Sequence, residues 1–288
     1  GHEVAGEVVK IGAKVTKFKV GDKVLIEPGV PDDTCEYCRT GRYNICPGVD
    51  FMATQPNYKG ALTQYMTHPE EWTYHIPEGM TTMEGALVEP AAVGMHAAVL
   101  GGAQPGKSIV ILGGGTIGLM VLQACISLGA TDITVVDVIE KRLELAKKLG
   151  AARVINGKEE DTVAVLRSEE MYGDHGVDLV FEAAGAVFTA QQAVQIVSRG
   201  GKIMMVGTQS KPVPIDFLKI NREVTIQTSF RYCNNFPQTI EAISSGRFNV
   251  KDMVTNIYDY EDVQKAFEEA IDPVKKTEMV KGVIKVAE

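Results

Sequence analysis

The chain has 288 residues, of which 45% are hydrophobic and 23% are charged, and its formal net charge is −8. This is the composition of an ordinary globular protein that is long enough for two domains. The acidic excess disfavours nucleic acids and anionic membranes as partners, because both require a basic surface. No apolar run reaches the roughly 18 residues of a membrane-spanning helix, and no signal-peptide pattern opens the sequence. Three of the five cysteines form one cluster, which suits a reducing compartment, so we expect a cytoplasmic protein.

The N-terminal part reads as short strands followed by a helix. Runs rich in Val, Ile, Thr and Tyr, broken by Gly, Pro and Asp, predict strands within 3–12, 15–29 and 60–77. Residues 82–103 are rich in Ala and Met and predict helical structure, with Pro90 at a helix start or at a kink.

Strands and helices then alternate, beginning with an apolar strand, a glycine turn and a helix within 106–130. The further predicted strands are 132–138, 153–156, 176–185, 201–208 and 223–230, and the predicted helices are 139–151, 161–172 and 187–200. This alternation predicts an α/β fold with a doubly wound parallel sheet. The tail adds helices near 236–246 and 260–271 and ends in a strand-like segment.

The glycine turn carries a nucleotide-binding motif. Gly113, Gly115 and Gly118 have the G-x-G-x-x-G spacing directly after a strand and open a helix, as a bound pyrophosphate requires. Asp137 ends the next strand, nineteen residues beyond Gly118, where a carboxylate accepts hydrogen bonds from a ribose and repels a 2′-phosphate. We therefore predict NAD rather than NADP. Arg142 either packs along the adenine or lies on an exposed helix face.

A second group of cofactor residues follows the strand 201–208. The ligand crevice of this fold lies at the carboxyl ends of the strands. Val206, Gly207 and Thr208 are therefore candidates for contact with the nicotinamide half.

Six motifs resemble those of one enzyme family: "GHEVAGEV", "GDKVLIEPGVP", "GRYNICP", "EGALVEPAAVGMHA", "GGGTIG" and "FRYCNNFP". They run from residue 1 to about residue 237, and together the chain resembles the zinc-dependent medium-chain dehydrogenases, in particular the sorbitol (L-iditol, xylitol) dehydrogenase branch. The resemblance implies a Rossmann NAD-binding domain, 92–230, inserted in a strand-rich GroES-like catalytic domain formed by 1–91 and 231–288. It also implies a homodimer or homotetramer.

The resemblance further implies an activity and its residues. The expected reaction is the zinc-dependent oxidation of a polyol to a ketose, with hydride transfer to NAD. His2, Glu3 and Glu89 match the catalytic zinc site, in which Glu89 binds the zinc or its water. Arg231 and Tyr232, with Glu89, match positions that contact the polyol. The motif and the resemblance together give the expected cofactor residues Gly113, Gly115, Ile117, Gly118, Asp137, Arg142, Val206, Gly207, Thr208, Ser229, Phe230 and Arg231.

The chain departs from the family at the catalytic zinc site. The catalytic cysteine of the family precedes the "GHE" motif, and this sequence begins at Gly1. Cys125 and Cys233 are expected to be a small buried residue and a packed or free thiol, not substitutes. We therefore expect an N-terminally truncated chain with a partial catalytic zinc site and weak or no turnover. Two alternatives stay open: another secondary alcohol, such as butanediol or threonine, as substrate, or an NAD-binding module without activity.

The cysteine cluster predicts a second, structural metal site. Cys35, Cys38 and Cys46 match three of the four ligands in the family pattern C-x2-C-x2-C-x7-C, and Asp32 stands at the first position. Three thiolates and a carboxylate are reasonable zinc ligands. The alternative is a degenerate loop with free thiols.

Overall fold

The computed structural model describes residues 1–55 and 59–287. The strands are β1 (Ala5–Glu7), β2 (Lys23–Ile26), β3 (Gly29–Val30), β4 (Asp50–Phe51), β5 (Thr73–His75), β6 (Ser108–Leu112), β7 (Asp132–Asp137), β8 (Arg153–Asn156), β9 (Val177–Glu182), β10 (Val197–Met205), β11 (Thr225–Thr228), β12 (Val254–Asp259) and β13 (Lys281–Lys285). The helices are α1 (Glu36–Arg39), α2 (Thr82–Ala86), α3 (Val88–Gly101), α4 (Thr116–Ser127), α5 (Glu140–Lys148), α6 (Thr162–Leu166), α7 (Val187–Ile196), α8 (Phe236–Ser244), α9 (Val263–Ile271) and α10 (Lys275–Glu278). Across these two ranges, the structure contains no helix with the length and apolarity needed to span a membrane.

The central sheet has six parallel strands in the order β11-β10-β9-β6-β7-β8. This order confirms the predicted doubly wound Rossmann sheet. The chain moves outward from β6 to β8 and then crosses to β9, so the strand order reverses between β6 and β9. Because ligands of this fold bind beyond the carboxyl ends of the strands at such a reversal, the crevice lies above β6 and β9. The inner strands are apolar on both faces, and Ile109 to Leu112 are fully inaccessible to solvent.

The remaining strands form three small sheets. β1, β2 and β5 are antiparallel, β3 pairs with β4, and β12 pairs with β13 in parallel. The strands predicted within 3–12, 15–29 and 60–77 exist but are only two to four residues long. The predicted domain division stays a prediction, and its first boundary falls inside α3.

Two predicted helices are shorter than expected. The helix predicted at 161–172 ends at Leu166, and the one predicted at 187–200 ends at Ile196. Val197 pairs with Val177 of β9, and Gly200 has a φ of +67°. Pairing with the sheet therefore overrides the helical pattern of this segment.

Helices α3 and α4 are in close contact, which fixes the start of α3 against the Rossmann sheet. A Cβ added to Gly94 would lie 2.5 Å from the carbonyl carbon of Met120. Glycine is therefore required at this crossing. Pro90 lies in the first turn of α3, as predicted, and Glu89 precedes it.

Candidate active site

The glycine turn between β6 and α4 contains two glycines that the fold requires and one that it does not. Gly113 has a φ of +108°, and a Cβ on Gly118 would lie 1.8 Å from Gly113 O. Gly115 has φ −72° and ψ −174°, which any residue can adopt, and a Cβ there would meet nothing nearer than Arg142 Nη1 at 3.9 Å. The N-terminus of α4 has no side-chain cap. The space at Gly115 and the free N–H groups of α4 fit a dinucleotide pyrophosphate.

Asp137 holds the glycine turn in addition to facing the cofactor crevice. Its Oδ2 accepts a hydrogen bond from Gly114 N at 2.7 Å, and its Oδ1 accepts from Val138 N and Ile139 N at 2.7 and 2.9 Å. Arg142 Nη1 lies 3.6 Å from Asp137 Oδ2, and Arg142 Nε is buried without a partner among the described residues. Arg142 therefore packs against Asp137 and does not lie on an open helix face. The role of Asp137 in the turn was not predicted.

Glu182 is a functional position that the sequence analysis missed. It ends β9, is fully buried, and its Oε1 accepts hydrogen bonds from Gly185 N at 2.9 Å and Thr189 Oγ1 at 2.7 Å. Its Oε2 accepts from Gln209 Nε2 at 2.7 Å. A Cβ on Gly207 would lie 2.3 Å from Gly185 N, so the two loops touch. Glu182 thereby fixes the loop that carries Val206 to Thr208. The sequence signal that could have identified Glu182 is an acidic residue at the end of an apolar strand.

The segment after β11 lies at the same edge of the sheet. Ser229 N donates to Met205 O at 2.9 Å, while Ser229 Oγ is buried without a partner among the described residues. Phe230 is half exposed, and Arg231 has a left-handed φ of +52°. All the predicted cofactor residues thus follow or end the parallel strands, or lie in α4 and α5.

A histidine and two carboxylates meet beside this crevice. One ligand atom from each of His2, Glu3 and Glu89 lies within 4.8 Å of the other two, and His2 Nε2 is 3.7 Å from Glu89 Oε1. His2 and Glu3 precede β1, and Glu89 lies in the first turn of α3. Lys281 of β13 forms an ion pair with Glu3, a contact that was not predicted. In the parts of the chain that are described, no cysteine joins this cluster, and Cys125 is fully buried in α4.

The electrostatics of this cluster favour a bound cation. Burial, followed by the charge of Glu3, raises the pKa of Glu89 to about 8, and burial lowers the pKa of His2. Without a cation, this buried carboxylate is therefore costly to ionise. An imidazole and two carboxylates are chemically suitable zinc ligands, so the three residues fit the metal that the family uses.

Arg231 and Tyr232 place buried polar groups next to this cluster. Arg231 Nη1 is buried without a hydrogen-bond partner among the described residues, and the buried Tyr232 hydroxyl lies against the Glu89 carboxyl group without a well-aligned hydrogen bond. The Arg231 guanidinium lies 3.7 Å from the centroid of Phe51, whose ring makes an edge contact with His2 at 5.2 Å. Burial and the charge of Glu89 raise the pKa of Tyr232 well above its usual value. Because buried polar groups are normally paired, these two sites fit the hydroxyl groups of a ligand.

The cysteine lobe, residues 32–46, forms the second predicted cluster. Ligand atoms of Asp32, Cys35, Cys38 and Cys46 lie within 4.8 Å of one another, and the Cys35 and Cys38 sulfurs are 3.4 Å apart. A tetrahedral zinc with 2.3 Å bonds needs sulfurs about 3.8 Å apart, which is close to this spacing. Asp32 Oδ1 accepts from Thr34 N and Cys35 N, which lower its pKa to about 2. Desolvation and the neighbouring thiols raise the pKa of Cys38 to about 12, whereas the Cys38 N–H lowers the pKa of Cys35. By their type and spacing, the four ligand atoms fit a zinc ion.

A Rossmann sheet with a glycine turn, together with a histidine–carboxylate cluster, is the arrangement of a metal-dependent dehydrogenase. Residues 116–245 match the zinc-binding dehydrogenase family, and residues 1–78 match the alcohol dehydrogenase GroES-like domain. The chain belongs to the zinc-type medium-chain alcohol dehydrogenases and has their GroES-like plus Rossmann fold, as predicted.

Three relatives illustrate the similarity. An uncharacterized zinc-type alcohol dehydrogenase-like protein, YdjJ of Escherichia coli (strain K12), is 64% identical over 100% of this chain and 82% of its own length. Sorbitol dehydrogenase of Bacillus subtilis (strain 168) is 42% identical over 94% of this chain and 76% of its own. A solved zinc-binding dehydrogenase of Sinorhizobium meliloti 1021, bound to NADP, has a TM-score of 0.92 at 25% identity, covering 99% of this chain and 83% of its own. The predicted N-terminal truncation stays a prediction.

Proposed function

We propose that this dehydrogenase oxidises a polyol of the sorbitol, xylitol or iditol class to a ketose, with NAD as hydride acceptor and zinc as cofactor. One observation carries the proposal: the unpartnered Nη1 of Arg231 and the hydroxyl of Tyr232, which lies against Glu89, are buried next to the cluster of His2, Glu3 and Glu89. A guanidinium and a phenol together bind at least two hydroxyl groups besides the one that reacts, whereas butanediol carries only one such group. The sorbitol dehydrogenase relative supports the same substrate class.

The residues around the cluster have separate roles in the proposed reaction. His2, Glu3 and Glu89 would hold zinc, which when bound polarises the alcohol oxygen of the substrate. Lys281 offsets the charge of Glu3, and the Phe51 ring covers one side of His2. Arg231 and Tyr232 would donate hydrogen bonds to the other hydroxyl groups and so select and orient the polyol.

The preference for NAD is proposed from Asp137. Its carboxylate lies at the end of β7, where its negative charge would repel the 2′-phosphate of NADP. The relative from Sinorhizobium meliloti binds NADP, so the comparison of NAD with NADP is part of the test. Three further proposals accompany it. They are the domain division at residues 91/92 and 230/231, a cytoplasmic location, which the cysteine cluster suggests, and a dimer or tetramer.

A substrate and cofactor panel tests the proposal. The zinc-loaded chain is assayed at 340 nm with NAD or NADP against sorbitol, xylitol, iditol, 2,3-butanediol and threonine. We expect weak turnover of at least one polyol, with NAD preferred. Faster turnover of butanediol or threonine would favour the alternative substrates. NAD binding without any turnover would favour a module in which the site is catalytically incomplete.

A further inference from the structure

Four hydrogen bonds join the cysteine lobe to the segment 229–235, which we call the substrate loop because it contains Arg231 and Tyr232. They run from Asn44 Nδ2 to Phe230 O (2.9 Å), from Cys233 Sγ to Gly41 O (3.0 Å), from Asn234 Nδ2 to Gly41 O (2.7 Å) and from Asn234 N to Tyr43 Oη (2.8 Å). The anchored positions flank Arg231 and Tyr232 on both sides. The cysteine lobe therefore contacts the substrate loop on both sides of the two residues that are proposed to bind the polyol.

The substrate loop has a backbone that needs such anchors. Arg231 and Asn234 have φ values of +52° and +59°, in the left-handed region. Asn tolerates this region, but Arg rarely adopts it, and such conformations persist where the surroundings impose them. The Arg231 side chain packs on the rings of Phe51 and Phe230 and leaves Nη1 unpartnered, so it does not supply the anchor itself.

The lobe side of the contact is rigid. The Tyr43 hydroxyl donates to Glu27 Oε1 at 2.7 Å, which leaves its oxygen free to accept from Asn234 N. Glu27 is fully buried and its Oε2 accepts from the Tyr74 hydroxyl at 2.9 Å. The Tyr43 ring makes an edge contact with Trp72 at 4.9 Å. The position of the Tyr43 hydroxyl is thus fixed from two sides.

We propose that Tyr43 and Asn44 are positioning residues that hold the substrate loop in the conformation that receives the polyol. This inference rests on the proposed function, because it takes Arg231 and Tyr232 as the polyol contacts. The cysteine lobe then contributes to substrate recognition as well as to stability. Of the predicted cofactor residues, only Ser229, Phe230 and Arg231 lie in the substrate loop, while the glycine turn and Asp137 lie outside it. Loosening the loop therefore weakens cofactor binding less than polyol binding.

The test compares Tyr43→Phe and Asn44→Ala with the matched control Tyr37→Phe. Tyr37 lies in the same lobe, and its ring contact with Arg42 does not depend on the hydroxyl. Three quantities are measured on the zinc-loaded chain: amide hydrogen exchange of residues 229–235, the Kd of NADH, and the Kd of sorbitol in the presence of NADH. In the first two variants we expect loop exchange at least about fivefold faster and the Kd of sorbitol about five- to tenfold higher, because each variant loses one hydrogen bond to the loop. The Kd of NADH rises by a smaller factor than the Kd of sorbitol, because most of the predicted cofactor residues lie outside the loop.

Two results would overturn the inference. One is unchanged exchange of the substrate loop in both variants. The other is faster exchange throughout the chain with parallel loss of NADH affinity, which indicates general destabilisation. Failure of the proposed function looks different: the wild-type chain binds no sorbitol, while Tyr43→Phe and Asn44→Ala still loosen the loop and the control does not. In that outcome the positioning role stands and the polyol assignment is wrong.

Discussion

Replacing Gly115 by Ala separates the cofactor role of the glycine turn from its structural role. The backbone of Gly115 is compatible with Ala, and the new Cβ would have no contact nearer than 3.9 Å. Ala reduces the entropy of the unfolded chain, which stabilises by about 0.4–1 kcal/mol. It is also a poorer helix N-cap than Gly, which costs on the order of 1 kcal/mol. The two effects offset, so the free energy of unfolding stays within about 1 kcal/mol of the wild type.

The same methyl group occupies the space that the pyrophosphate needs. We expect the Kd of NAD to rise at least about tenfold, or about 1.4 kcal/mol, by isothermal titration. Gly118→Ala is the contrasting variant: its Cβ would lie 1.8 Å from Gly113 O, so it loses about 1–3 kcal/mol or more of stability in urea unfolding. Wild-type NAD affinity in a folded Gly115→Ala chain would refute the assignment of this space to the cofactor.

Three further predictions concern charged groups. Burial raises the pKa of Glu27 from its usual 4.5 to about 7, so protonation stabilises the folded chain fully below pH 4.5, and this stabilisation is lost as the pH rises through 7. We therefore expect the free energy of unfolding of Glu27→Gln, relative to the wild type, to rise by at most about 3 kcal/mol between pH 4.5 and pH 8, as measured by urea unfolding. A difference between the two proteins that does not change with pH would contradict this. Cys38→Ser should lower the zinc content by about one ion per chain, measured by mass spectrometry, with NAD affinity within about twofold; unchanged zinc would show that the lobe holds none. Asp137→Asn should weaken the preference for NAD over NADP and destabilise by about 1–3 kcal/mol, because Gly114 N loses a carboxylate acceptor; no change in either would be inconsistent with its two roles.

The Rossmann half of the fold was predictable because its signals are local. Continuous apolar strands, helices of regular period and the spacing of Gly113 to Gly118 all lie within short windows of the sequence. Asp137 was identified from its place at a strand end. The end of α7 at Ile196 was not predicted, because the pairing of Val197 in the sheet is a tertiary effect. The end of α6 at Leu166 was not predicted either.

The contacts that complete the candidate site are not local. Lys281 reaches Glu3 across 278 positions, and Asn44 reaches Phe230 across 186. No periodicity or motif encodes such contacts, since they depend on how β13 and the cysteine lobe pack. The family resemblance supplied His2, Glu3 and Glu89 as a group, and the structure brings them together. Glu182 was missed because its buried hydrogen bonds serve two loops that are separate in sequence.

The most direct test of the account is the affinity of the site for a polyol. Calorimetry gives the Kd of sorbitol and of 2,3-butanediol for the chain saturated with zinc and NADH, and for Arg231→Ala under the same conditions. The account predicts that sorbitol binds at least about tenfold more tightly than butanediol, and that Arg231→Ala removes this preference. Equal or tighter binding of butanediol, or a preference for sorbitol that survives in Arg231→Ala, would contradict it.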